Sequence, residues 1–280
     1  MTPSAAAALI PLIGVVAFLL ATLLFFTASS ILFGRPHTPD IEKRERTFVA
    51  KFFQEWWIWL YRPVERLCLR AGIPPDAITI ASTCTAAVAA VLIGSGRLSL
   101  GGWVYLFGAS LDFIDGRVAR ASGRTTRRGA FLDSTLDRVA ELLVMGGLAT
   151  TFRNSPFLFA ALAAAGASLL VSYSRARGEA LGAGDVARVG GMQRPERIVV
   201  TGAACALSPL ADAAYGAGAG RALLGWALVV LAVLTTATAA RRTFAIYRAL
   251  RAGDPAPVAR PAFRLADVFR LDVSRRGKAG

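Results

Sequence analysis

The amino-acid sequence predicts an all-α polytopic membrane protein, and three observations carry that prediction. Residues 1–34, 77–96, 154–174 and 222–240 contain no formally charged side chain, and about 20 helical residues cross roughly 30 Å of hydrocarbon. Hydrophobic residues make up 55% of the 280 positions and the mean hydropathy is +0.51, which excludes disorder, a collagen repeat and a disulfide scaffold. With the N-terminus placed outside, only Arg97, Arg153 and Arg221 of the 32 Lys and Arg fall on the outer side, as the positive-inside rule demands.

The first helix is expected from about Ala5 to Phe33, within an N-terminal segment 1–34. No basic residue precedes it, since the first charge is Arg35, so it reads as a retained membrane helix rather than a secretory signal. Segment 35–72 follows, a basic linker and then Phe48 to Arg70, where Phe52, Phe53, Trp56, Trp57, Trp59 and Tyr61 are interleaved with Lys51, Arg62, Arg66 and Arg70. That composition suits a helix lying along the cytoplasmic headgroups, with a packed surface helix as the plainer alternative. Pro63 is expected to kink or divide it. His37, between prolines in the linker, reads as incidental.

Segment 73–250 predicts six membrane helices, at about 77–95, 100–121, 129–152, 157–177, 196–212 and 221–247, the first capped by Asp76. Segment 251–280 is a basic cytoplasmic tail. Cys68, Cys84 and Cys205 show no metal or redox spacing and read as small core residues. The net charge of +14 fits membrane orientation and anionic lipid; no nucleic-acid motif accompanies it, so no nucleic-acid partner is expected.

Ionisable groups inside membrane helices are costly and usually mark a site. Asp112, Asp115, Asp133 and Asp137 lie near the cytoplasmic ends of two consecutive helices. At about 100° per residue, Asp112, Asp115, Gly116 and Ala119 share one arc, and Gly129, Asp133 and Asp137 form a stripe on the next helix. Antiparallel neighbours could turn all four carboxylates into one pocket, where their repulsion would require cations. An all-carboxylate donor set favours Mg²⁺, with Mn²⁺ as the alternative, and two ions about 3.5 to 4 Å apart suit displacement at phosphorus. Gly116, Ala119 and Gly129 are small either because a ligand lies against the backbone or because helices pack there. Glu141 continues the second stripe, as a tuning group or as a solvated or hydrogen-bonded bystander. Arg117, Arg124, Arg127 and Arg128 read mainly as topology charges.

The pattern Asp112-x2-Asp115-Gly116-x2-Ala119-Arg120-x8-Gly129-x3-Asp133-x3-Asp137 resembles the complete motif of the CDP-alcohol phosphotransferase family, with eight fixed positions in 26 residues. The resemblance spans about Arg62 to Arg248 and implies a six-helix catalytic bundle that transfers a phosphoalcohol from a CDP-alcohol, releasing CMP. It implies that Asp112, Asp115 and Asp133 chiefly hold the metals, and that Asp137 contributes to the metal site and acts as general base. Asp112, Gly116, Ala119, Arg120 and Gly129 would line the CDP pocket, and Pro75, Asp76, Thr79 and Thr126 resemble accessory positions of that pocket. It also implies a homodimer.

The acceptor is read from Arg175-Ala-Arg-x-Glu179 and Arg194-Pro-Glu-Arg197. Pro195 suits a first helical turn, which puts Arg194 at a helix start, and Arg175, Arg194 and Arg197 could converge on a phosphate dianion; the alternative is that they are topology charges. Both segments resemble those of the phosphatidylinositol phosphate synthase branch of the family and its archaeal ether-lipid relatives. That resemblance implies CDP-diacylglycerol as donor, inositol 1-phosphate as acceptor and an active site facing the cytoplasm at the inner membrane. Glycerol 3-phosphate, giving phosphatidylglycerophosphate, is the runner-up acceptor. A transporter is the competing class, disfavoured because the carboxylates cluster at one face and no repeat is evident.

Overall fold

A computed structural model describes residues 3–34, 48–188 and 191–253. The linker with His37 and the tail beyond residue 253 lie outside the described residues. Nine α-helices are described: α1 (Pro3–Phe33), α2 (Phe48–Arg70), α3 (Pro75–Gly94), α4 (Leu98–Ala121), α5 (Arg127–Thr151), α6 (Phe157–Ala180), α7 (Arg194–Ala206), α8 (Ser208–Tyr215) and α9 (Ala219–Gly253), with a 3₁₀ turn at Gly184–Arg188 before α7. No strand occurs among the described residues.

Helices α1, α3, α6 and α9 are each long and apolar enough to cross a membrane. Helices α4 and α5 have 24 and 25 residues, a sufficient length, and carry their charges toward the ends joined by the turn at 122–126. The span expected at 196–212 is broken, with α7 and α8 meeting at 44°. Pro209 explains the break: it has no N–H to donate to residue 205, and its ring crowds that carbonyl. Pro63 does not divide α2, which runs unbroken from Phe48 to Arg70. The proline ring is exposed there. Asp76 is not the cap of α3. Pro74 holds the N-cap position and Pro75 opens the helix, a placement that wastes no N–H. Cys68 and Cys205 are buried, whereas Cys84 is exposed on the outer side of α3.

Helix α3 is the central post, packed along both α4 and α5, while α6 packs on α9 and α5, and α7 on α4 and α9. Ala89, Ile93, Val144, Leu148, Ala161, Ala164, Leu224, Leu228 and Leu231 fill the shared core. Small residues permit this in lipid, where close packing replaces the hydrophobic drive. A Cβ at Gly147 would collide with the backbone of Ala90, and one at Gly102 with the backbones of Gly202 and Ala206. At the other end of α4, Gly123 at φ +67° reverses the chain. Arg124 N–H donates to Ala119 O at 2.9 Å and Gly123 N–H to Arg120 O at 3.3 Å, the paired bonds of a Schellman stop. Thr126 then caps α5, its Oγ1 accepting from Gly129 N–H at 3.0 Å.

Helices α1 and α2 flank this bundle. Phe26, almost fully buried, packs at a tilt against Trp59 and Phe52 with ring centroids 5.7 and 5.5 Å away. Helix α2 is clasped to α4 by Glu65 and Arg117, a two-bond pair at 2.9 and 3.3 Å.

Candidate metal and phosphate site

Because α4 and α5 pack along α3 more closely than on each other, their turn-side ends leave a cleft. Asp112, Asp133 and Asp137 offer carboxylate oxygens that all lie within 4.8 Å of one another. All three are half-buried, and three like charges this close need cationic compensation. Arg194, at the first position of α7, supplies one cation. Its Nη1 donates to Asp112 Oδ2 at 2.6 Å and lies 2.7 Å from Asp137 Oδ1, a contact of charges without hydrogen-bond alignment. Arg138 Nη1 stands 3.8 Å from Asp137 Oδ2.

Asp115 is the fourth expected carboxylate and does not join that cluster of three. It is buried, and its Oδ2 accepts from Thr79 Oγ1 at 2.5 Å. Thr79 thereby ties α3 to the cleft. Asp76, also on α3, pairs with Arg128 Nη2 at 3.0 Å across the start of α5. Pro75 begins α3 beside them.

Gly116 and Gly129 differ in why they are small. A Cβ at Gly116 would meet only Arg120 Nη1, at 3.4 Å; no helix packs against it, so the packing explanation does not apply. A Cβ at Gly129 would approach Thr126 Oγ1 at 3.1 Å and Asp76 Oδ1 at 3.3 Å, so the cap and α3 already require a small residue there. Ala119 is half-buried and Arg120 exposed on the same stretch of α4.

The three arginines expected to converge do not. Arg194 reaches the carboxylates. Arg197 is buried and occupied: Nε donates to Glu141 Oε1 at 2.6 Å, Nη2 to Glu141 Oε2 at 2.9 Å, and Nη1 to Met192 O at 3.1 Å. A buried guanidinium must satisfy its donors locally, and Glu141 does so. Arg175 is exposed and pairs with Glu179 one turn on, at 3.2 Å. Glu141 is therefore no solvated bystander. Arg138 and Arg242 were not singled out from the sequence; Arg242 is buried on α9 with Nη1 donating to Val171 O at 2.7 Å. Arg138 sits beside a motif aspartate and Arg242 beside Arg241 at the charged end of an apolar run, and neither position gave a pattern by which to choose it.

An all-oxygen cluster suits a hard divalent cation, and the guanidinium seated between two of its members shows that the cleft holds positive charge. Fold and site together define a helical, multi-pass membrane protein with a cluster of three carboxylates able to hold a metal ion at one end of its bundle. Residues 73–237 match the family model of the CDP-alcohol phosphatidyltransferases, and the chain belongs to that family of transferases. It is 32% identical over 234 residues to a phosphatidylinositol phosphate synthase of Streptomyces avermitilis, covering 82% of this chain and 93% of that one. Among solved structures, it resembles Mycobacterium tuberculosis phosphatidylinositol phosphate synthase with CDP-DAG bound, at TM-score 0.60 and 31% identity over 70% of this chain and 98% of that one. The same mycobacterial enzyme in complex with manganese and citrate matches at TM-score 0.61 and 30% identity, over 69% and 92% of the two chains.

Proposed function

We propose that the protein transfers the phosphatidyl group of CDP-diacylglycerol to inositol 1-phosphate, giving phosphatidylinositol phosphate and CMP. The observation that carries this reading is the cleft itself, three aspartates within 4.8 Å of one another with Arg194 set against two of them. Similarity to phosphatidylinositol phosphate synthases over 82% of the chain supports the acceptor. Asp112, Asp115, Asp133 and Asp137 are the ligands we assign to two Mg²⁺ ions, with Mn²⁺ as a substitute. Bound there, such ions would neutralise the bridging phosphate oxygens and stabilise the departing CMP.

The residues of the chain do the rest. Gly116, bare of packing, lets the nucleotide approach the α4 backbone, with Ala119 and Arg120 on the same face. Pro75, Asp76, Thr79, Thr126 and Gly129 complete that side of the cleft. Arg194 binds the acceptor's phosphate. Asp137 takes the proton from the acceptor hydroxyl as its oxygen attacks the phosphatidyl phosphorus. The P–O bond to CMP breaks and CMP leaves with the bonding electrons. The cleft faces the cytoplasm of the inner membrane in this reading, and the enzyme is a homodimer.

The test is CMP release by purified protein in detergent with CDP-diacylglycerol and Mg²⁺, the acceptors being supplied singly. Inositol 1-phosphate should yield a phosphorylated lipid. Product from glycerol 3-phosphate and none from inositol 1-phosphate would overturn the acceptor.

A further inference from the structure

Two arginine–carboxylate pairs cross from α5 to α7, one above the other. Asp137 and Glu141 are four residues apart on α5, and Arg194 and Arg197 three apart on α7, so each couple shares a helix face. The outer rung is Asp137 with Arg194, 2.7 Å apart, and the inner is Glu141 with Arg197, bonded at 2.6 and 2.9 Å. Both pairs link α5 to α7. Helix α7 otherwise packs on α4, α8 and α9.

Arg194 occupies the first turn of α7, where a helix is weakly held, and the N-cap residue Gln193 makes no side-chain capping bond. What fixes that turn is one residue further out. Met192 N–H donates to Thr238 Oγ1 at 2.9 Å and Met192 O accepts from Arg197 Nη1 at 3.1 Å. Gly191 fits against Thr238 so closely that a Cβ would collide with it. Arg197 thus grips the backbone two residues before Arg194, and Arg197 is itself aimed by the two oxygens of Glu141. The inner rung is 1% exposed at Arg197 and 6% at Glu141, so water does not stand in for either partner.

We infer that Glu141 is a positioning residue: acting through Arg197 and Met192, it sets where the Arg194 guanidinium stands and hence how tightly the acceptor's phosphate is held. This rests on the acceptor role proposed for Arg194. A buried ion pair can often be replaced by packed apolar side chains at little cost in stability. That separates positioning from cement.

The experiment uses the full-length enzyme with Glu141→Gln, Glu141→Asp and the double change Glu141→Leu with Arg197→Met. Glu141→Gln should raise the acceptor KM about tenfold, in the range for removing a partner that orients a ligand-binding group, while the KM for CDP-diacylglycerol stays at its wild-type value. Glu141→Asp, which restores the charge, should recover part of the loss. The double variant should keep the wild-type thermal midpoint and still show the raised acceptor KM. A double variant with wild-type acceptor KM would overturn the inference. If the wild-type enzyme makes no product from inositol 1-phosphate or glycerol 3-phosphate, the functional reading has failed, and hydrogen exchange then decides. The amides of residues 192–194, 196 and 197 should exchange about tenfold faster in the double variant, since opening follows local stability; unchanged protection there would equally overturn it.

Discussion

Thr79 Oγ1 donates a 2.5 Å hydrogen bond to Asp115 Oδ2, and both side chains are buried. The bond joins the central post α3 to the motif helix α4 and spends one lone pair of Asp115 inside the protein. A hydrogen bond to a buried charge is worth about 1.5–3 kcal/mol. Thr79→Val keeps the shape and removes the bond, and we expect kcat/KM to fall by roughly tenfold or more, with Thr79→Ser close to wild type. Equal rates for valine and threonine would show that the bond does not orient Asp115.

Asp112 and Asp133 face each other across the cleft from α4 and α5, among the oxygens that lie within 4.8 Å of one another. Asp112→Asn and Asp133→Asn each preserve size and delete one anionic donor. Each should cut turnover by roughly a hundredfold or more and weaken Mn²⁺ binding measured by calorimetry. Excess chelator should silence the wild-type enzyme, and added Mg²⁺ should restore it. Full activity in chelator, or undiminished Mn²⁺ affinity in both variants, would remove the cation from the site.

Gly116 and Gly102 lie on the same helix and should respond in opposite ways. A Cβ at Gly116 meets nothing closer than Arg120 Nη1 at 3.4 Å, while one at Gly102 strikes the backbone of α7. Gly116→Ala should therefore hold or raise the thermal midpoint, since Ala in a helix is favoured by up to about 1 kcal/mol, yet raise the KM for CDP-diacylglycerol. Gly102→Ala should lower the midpoint. Should Gly116→Ala leave the donor KM untouched, the nucleotide does not lie against α4.

The motif aspartates were legible because helical spacing alone places them: Asp112 with Asp115, and Asp133 with Asp137, repeat at three and four residues. The spacing could not tell that α4 and α5 would each lean on α3, nor that Asp115 would turn to Thr79, because both depend on how three helices meet. The Glu141–Arg197 pair was hidden for the same reason. Its members are 56 residues apart, and each alone looked like a topology charge or a stripe extension. The break before Ser208 had a local signal in Pro209, masked by the apolar run around it.

The charge asymmetry of the loops makes a prediction about sidedness. Ser122 stands at the exposed turn between α4 and α5, and Asn154 at the exposed turn before α6, at opposite ends of α5. In a cysteine-free background, Ser122→Cys should react with an impermeant maleimide in inverted vesicles and Asn154→Cys in intact cells. The reverse pattern would turn the cleft away from the cytoplasm.

Arg194 meets Asp112 at 2.6 Å and Asp137 at 2.7 Å, and its removal should move two affinities in opposite directions. Arg194→Ala deletes a positive charge that competes with divalent cations for the same carboxylates. At an effective dielectric near 20, one charge about 4 Å away is worth up to about 4 kcal/mol, of which relaxation and water will cancel much. Mn²⁺ affinity measured by calorimetry should consequently rise, by about tenfold. The acceptor's phosphate loses its guanidinium fork in the same variant, so the acceptor KM should rise by a comparable factor or more. Arg194→Lys keeps the charge without the planar fork; it should leave Mn²⁺ affinity near wild type and still weaken the acceptor. If Arg194→Ala weakens Mn²⁺ binding, the guanidinium is holding the aspartates in place for the cation, and its position between Asp112 and Asp137 is that of a scaffold rather than a competitor.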